Sequence, residues 1–260
     1  MPGNTLHCWW IHQTVDHSVI MVISFVNETV AGRIPIVAGI GGNDTHEVIK
    51  GFKKFDLKGY DAILSVSPYY NKPSQEGIFQ HYKALNDAAP LPIIMYNVPS
   101  RTGQNVTADT QLRIARECKK IFATKEASGN FEQVSQIVKY KPKDFMVISG
   151  DDPITLPMIA AGAEGLISVV ANAYPKEYSD MVRLCLDGKF IEAQKLHYKY
   201  TEIINSMFAE GSPGGVKAYL SEMGLCKNTF RLPVWPVSAA HLTRIKELMK
   251  ALKQADIFVL

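Results

Sequence analysis

The chain has 260 residues, 28 Lys and Arg against 25 Asp and Glu (formal net charge +3), 47% hydrophobic and 20% charged residues. Those fractions are ordinary for a soluble globular protein, and the length suits one large α/β domain with a generous core. So small and dispersed a positive charge argues against a nucleic-acid partner, and the longest early apolar run, Val19–Val26, is much shorter than the roughly 20 residues a membrane span needs.

Residues 1–21 form a segment of anomalous composition, with His7, His12 and His17, Trp9 and Trp10, and neither Lys nor Arg. His7, Cys8, His12 and His17 match no zinc-ligand spacing, so no metal site is assigned. Since no Lys or Arg precedes Arg33, neither the basic n-region of a signal peptide nor an Arg-rich transit peptide is expected. Cys8, Cys118, Cys185 and Cys226 are far apart and read as the reduced thiols of a cytoplasmic protein. Val19–Val26 has strand propensity, but the following Asn27-Glu-Thr-Val-Ala-Gly-Arg33 reads as a helix end with its Gly stop, which favours a helix tail.

From Ile34 the pattern is regular. Ile34–Gly41 reads as a buried strand, and Gly41-Gly-Asn-Asp-Thr45 as the loop and N-cap of a helix through Phe55. Strands are expected at Ala62–Tyr70, Pro92–Val98, Ile121–Ser128, Phe145–Gly150 and Gly165–Val170. Helices are expected from Ser74 to about Asn86, Thr107 to about Cys118, Phe131 to Tyr140, Asp151 to Ala161 and Pro175 to about Asp187. Six strand–helix units with near-continuous apolar strands imply parallel pairing, in a doubly wound sheet or a (β/α)8 barrel. The monotonous unit, with polar residues at the strand ends, favours a TIM barrel. After Asp187 come three helices, near 189–208, 214–223 and 240–253. The expected domains are therefore the segment 1–21, an incomplete barrel over 22–187 and a helical C-terminal domain over 188–260.

The chemistry centres on Ile121–Asn130. Lys125 sits within a buried strand, where a surface lysine would not normally be placed, and strand alternation sets Ala123 and Ala127 on its face. Desolvation favours the neutral, nucleophilic amine, which suits Schiff-base chemistry on a carbonyl substrate. The alternative is an edge-strand lysine reaching water. The other strand ends supply Tyr69 and Tyr70, expected to point opposite ways, then Tyr96, and Arg101 in a Pro-stiffened loop. A phenol beside such a lysine can move the protons of imine formation, and a rim arginine suits a carboxylate. Any one of these residues alone is more often structural than catalytic.

Together, Tyr-Tyr-Asn-Lys-Pro-Ser-Gln-Glu-Gly, Tyr-Asn-Val-Pro-Ser-Arg-Thr-Gly, Lys-Glu-Ala-Ser-Gly-Asn and Ser-Gly-Asp-Asp closely resemble the dihydrodipicolinate synthase branch of the pyruvate-dependent aldolase/N-acetylneuraminate lyase family. The resemblance runs from about Val22 to Leu252. It implies a barrel with a C-terminal helical domain that condenses pyruvate with L-aspartate 4-semialdehyde toward lysine and diaminopimelate. By resemblance Lys125 forms the imine with pyruvate, so that no separate cofactor is needed, and Tyr96 is the general acid/base. Arg101 holds the carboxylate of the aldehyde, and Tyr70 is lent across a dimer interface. Ile167 lines the pyruvate pocket and Gly150 makes a backbone contact. Asn43, Glu47 and Tyr69 match residues that bind L-lysine as an effector, and a homo-oligomer, dimer or tetramer, is implied. The same lysine would also serve another class I pyruvate-dependent 2-keto-acid aldolase or lyase, and an inactive oligomerising relative is a further alternative.

The resemblance also implies two further strand–helix units upstream, the second ending in a Thr-Thr-Gly-Glu type motif that binds the pyruvate carboxylate. No such motif occurs here, and Gly3-Asn4-Thr5-Leu6 is too short a likeness to count. The expectation is a truncated, out-of-frame N-terminus on an otherwise intact synthase sequence, with poor solubility and little activity as written, because six strands cannot close an eight-stranded barrel.

Overall fold

The computed structural model describes residues 6–7 and 16–257. Two compact units are present, Cys8–Ile167 and Met1–His7 with Ser168–Leu260. The first holds α1 (Asp16–Val30), β2 (Val37–Gly39), α2 (Thr45–Lys54), β3 (Ala62–Val66), α3 (Gln75–Ala88), β4 (Ile93–Asn97), α4 (Pro99–Thr102), α5 (Ala108–Glu117), β5 (Ile121–Glu126), α6 (Phe131–Tyr140), β6 (Met146–Ser149) and α7 (Thr155–Ala160). A two-residue strand β1 (Leu6–His7) precedes them, and β7 (Ile167–Ser168) follows and pairs with it. Expected positions Gly3, Asn4, Thr5, Cys8, Trp9, Trp10 and His12 lie outside the described residues.

Strands β2 to β6 form a five-stranded sheet in sequence order, every pair parallel. A parallel bridge between Ser149 and Leu166 extends the pairing to the residue before β7. Parallel strands covered by crossover helices are buried on both faces, which is why β3 and β4 are buried throughout and mostly apolar. Ile63, Ile93, Ile94 and Met95 are shut off from water, and each such side chain contributes on the order of 1.5–3 kcal/mol.

Each strand hands over to a capped helix. The Asp44 carboxylate accepts from the N–H groups of His46 (2.8 Å) and Glu47 (3.2 Å), Ser74 Oγ from Gly77 N–H and Asn130 Oδ1 from Gln133 N–H. These caps satisfy amides that the first helical turn leaves without partners, and they fix the strand-to-helix loops.

All six expected strands are present but shorter. β3 stops at Val66 because Pro68 has no N–H to extend the ladder, so Tyr69 and Tyr70 lie outside the strand. The expected helix tail is a full 15-residue helix, α1, and the Pro-stiffened loop at Arg101 is a single helical turn, α4.

In the second unit, α8 (Pro175–Leu186), α9 (Phe190–Phe208), α10 (Gly214–Glu222) and α11 (Ala239–Ile257) are the helices that follow β7. Tyr174, Tyr178 and Tyr200 make edge-on ring contacts at 5.0 and 5.9 Å. Among the described residues no helix is long and apolar enough to cross a membrane.

Candidate active site

The register places Val66, Tyr96, Lys125 and Ile148 in one row across β3, β4, β5 and β6. In-register neighbours on parallel strands present their side chains to the same face, so the row shares one surface. Lys125 is 3% exposed and Tyr96 is buried beside it. The Lys125 Nζ lies 4.2 Å from the centroid of the Tyr96 ring.

Gly150 makes room for this lysine. A methyl group at Gly150 would stand 2.8 Å from Lys125 Cε and 2.9 Å from both Lys125 Cγ and Ala127 Cβ. The Ala127 methyl, expected from strand alternation on the lysine's face, lines the same space. Alternation within one strand could not reveal the ring from β4 or the missing side chain after β6. Ile167 is buried, and the Ser149–Leu166 bridge sets it level with Gly150.

The other expected residues lie on the loops after the strands. Arg101 is exposed on α4, whose last turn closes with Gly103 at φ +71°. A side chain at Gly103 would come within 3.2 Å of Lys72 Cε, so the loops after β3 and β4 touch. Tyr70 is 87% exposed and also has φ +71°, while Asn71 N–H donates to Tyr69 O over 2.9 Å. That is a γ-turn, rare for a residue with a Cβ. It replaces the expected strand alternation of the two tyrosines, because the ladder has already ended. Asn71 Nδ2 donates to Asn43 O at 3.0 Å, which joins Tyr69 and Asn43 through their loops. Glu47, in the first turn of α2, pairs with exposed Lys50 at 2.6 Å.

Two acidic residues near the site were not singled out by sequence. Asp151 is partly buried, and burial raises its carboxyl above the usual carboxylate range. Glu126, next to Lys125, is 1% exposed. A carboxylate inside a buried strand was a readable signal, because such groups are buried only with partners. Among the described residues no group of three or more His, Cys, Asp or Glu could hold a metal ion.

A buried lysine beside a phenol ring, at the carboxyl ends of parallel strands that follow one another in sequence order with helical crossovers, has the layout of a site in the α/β-barrel class. The chain matches the Dihydrodipicolinate synthetase family over residues 13–254. It is 52% identical over 231 residues to the 4-hydroxy-tetrahydrodipicolinate synthase of Parabacteroides distasonis, covering 89% of this chain and 78% of that one. It superimposes on the crystal structure of dihydrodipicolinate synthase from Aquifex aeolicus with a TM-score of 0.90 at 38% identity, over 93% of this chain and 83% of the other. The lysine-bound enzyme of Cyanidioschyzon merolae matches with a TM-score of 0.89 at 36% identity, over 93% and 82%. The chain therefore belongs to the dihydrodipicolinate synthetase family of TIM-barrel lyases.

Proposed function

We propose that this protein condenses pyruvate with L-aspartate 4-semialdehyde, as a 4-hydroxy-tetrahydrodipicolinate synthase of lysine and diaminopimelate biosynthesis. The observation that carries the reading is the Lys125 amine, buried in β5 against the Tyr96 ring in space that Gly150 leaves free. The amine adds to the ketone carbon of pyruvate and water leaves, forming an imine. Loss of a methyl proton then gives an enamine, which attacks the aldehyde carbon. Tyr96 serves as general acid/base for these transfers. Arg101 holds the carboxylate of the aldehyde substrate in a bidentate pair. Ile167 shapes the pyruvate pocket, and the backbone at Gly150 contacts the substrate.

The imine is itself the electron sink, so the reaction needs no cofactor. The exposure and positive φ of Tyr70 support its insertion into the site of a neighbouring copy, in a homodimer or homotetramer. We place the enzyme in the cytoplasm. L-lysine is proposed as an effector at Asn43, Glu47 and Tyr69, whose loops are linked through Asn71. The experiment is reduction with borohydride in the presence of pyruvate, followed by peptide mass mapping. An adduct on Lys125 alone is expected, and an adduct on another lysine rejects the assignment.

A further inference from the structure

One residue beyond Lys125, on the other face of β5, the Glu126 carboxylate is the hub of a buried network. It accepts from Ser128 N–H at 2.8 Å, Gln111 Nε2 at 2.7 Å and Gln133 Nε2 at 3.1 Å. Asn97 Nδ2 reaches its two oxygens at 3.1 and 3.0 Å. These donors come from β4, the turn after β5, α5 and α6, and all are neutral amides. An acid buried among neutral donors is a poor choice for stability alone, because an apolar residue of similar volume avoids the desolvation. What the carboxylate adds is direction, since several donors converge on two oxygens.

The same donors grip the segment that follows Arg101. Asn97 Oδ1 accepts from Val106 N–H at 3.0 Å, and Asn97 Nδ2 also donates to Asn105 Oδ1 at 2.9 Å. Gln111 Nε2 donates to Val106 O at 2.9 Å. Gln133 and Asn105 exchange side-chain bonds at 2.8 and 3.2 Å, and Gln75 Nε2 donates to Asn105 O at 2.8 Å. Upstream of this anchor, Thr102 Oγ1 donates to Gln104 O at 2.8 Å, which ties α4 to it. The Asn97–Glu126 pair also directly follows the Tyr96–Lys125 pair in the ladder. The network therefore stands directly behind the reactive pair, on the opposite face of the sheet.

We propose that Glu126 is a positioning residue that fixes the Arg101-bearing segment to the strand carrying Lys125, so that the second substrate is held at a set distance from the imine. This deepens the synthase reading and rests on it for the roles of Lys125 and Arg101. The test is Glu126→Gln in the full chain, which keeps the shape but turns one acceptor into a donor facing other donors.

Borohydride trapping of pyruvate on Lys125 and the KM for pyruvate are expected to stay within about twofold of wild type, while kcat/KM for aspartate semialdehyde falls roughly ten- to a hundredfold. Amide exchange across residues 98–107 should accelerate, with Val106 N–H foremost. Should Glu126→Gln not fold, Asn105→Ala removes the bonds that Asn97 and Gln133 make to the loop, leaves Glu126 its own donors and Val106 its bonds to Asn97 and Gln111, and the same pattern is expected from it in weaker form. Equal losses for both substrates in a folded variant, or wild-type exchange across 98–107, overturn the proposal. A wild-type protein that traps no pyruvate refutes the synthase reading instead, and the exchange measurement then still decides whether Glu126 holds the segment.

Discussion

The Lys125 amine and the Tyr96 ring face each other at 4.2 Å from adjacent, in-register parallel strands. Their separation is set by the sheet ladder, not by a loop, and rigid elements hold reactive groups more precisely than loops do. Tyr96→Phe keeps the ring that meets the amine and removes only the hydroxyl. We expect it to retain pyruvate trapping at equilibrium while lowering kcat by roughly 10²–10⁴. Steady-state kinetics beside a trapping assay measures the split. A variant with unchanged kcat would exclude Tyr96 as the proton-transfer group.

Gly150 is the second constraint on that lysine. Gly150→Ala introduces a methyl group within 2.9 Å of Lys125 Cγ and Ala127 Cβ, inside normal contact distance, and none of these atoms is the loose end of an exposed chain. Overpacking of this kind costs about 1–3 kcal/mol of stability. Displacing the amine should lower kcat roughly tenfold or more. Thermal unfolding and the rate of pyruvate-imine formation check the two effects. A variant that forms the imine at the wild-type rate would mean that Lys125 has room to spare.

Much of this was legible in the sequence. The apolar runs and their spacing located all six strands from β2 to β7, and a lysine inside one of them marked the site. What stayed hidden depends on neighbours distant in sequence. The space around Lys125 comes from Gly150, just past the end of the next strand, and the cover comes from Tyr96. Strand length was overestimated after Val66, where Pro68 ends the ladder. That error put Tyr69 and Tyr70 on alternating faces, whereas a γ-turn orients them. Glu126 carries a readable signal, a carboxylate in a buried strand, but its partners Asn97, Gln111 and Gln133 lie on other elements distant in sequence.

The γ-turn at Tyr70 gives a prediction that separates stability from function. A non-glycine residue at φ +71° carries strain on the order of 1–3 kcal/mol. Glycine takes that conformation freely, whereas alanine does not. Tyr70→Gly should therefore be more stable than Tyr70→Ala by about 1 kcal/mol, although both lose the phenol and with it activity. Urea unfolding of the two variants is the measurement, and equal stability would remove the argument from strain.

The proposed effector site competes with an ion pair. The Glu47 carboxylate is 2.6 Å from Lys50 Nζ, both groups being exposed, and such pairs contribute little. A free lysine ammonium recruited by Glu47 has to displace that of Lys50. Lys50→Ala should thus tighten L-lysine binding a few-fold, and Glu47→Ala should weaken it roughly tenfold or more. Calorimetric titration reads both. Binding unaltered by Glu47→Ala would move the effector elsewhere.

The last prediction concerns His81, which is buried in α3 with its Nδ1 2.9 Å from Thr45 Oγ1. Its ring meets Tyr82 edge-on at 5.3 Å, and its Nε2 has no hydrogen-bond partner among the described residues. A proton added there would put a charge where nothing can accept from it, and burial pushes the pKa down to about 4. In the unfolded chain the same imidazole titrates near its ordinary value of about 6.5. Between these values the unfolded state binds the extra proton, so unfolding gains as pH falls. The stability is full above pH ~6.5 and is lost progressively toward pH ~4, by about 3 kcal/mol for this group. His81→Asn keeps a polar atom near the position of Nδ1 and cannot titrate. The variant has lower stability at neutral pH because of the cavity, but its unfolding free energy should fall less between pH 7 and pH 4.5. Urea melts of both proteins at those two pH values give the comparison, in which the carboxylates common to both cancel. Parallel losses would show that His81 is protonated in the folded protein and that the pH dependence has another source.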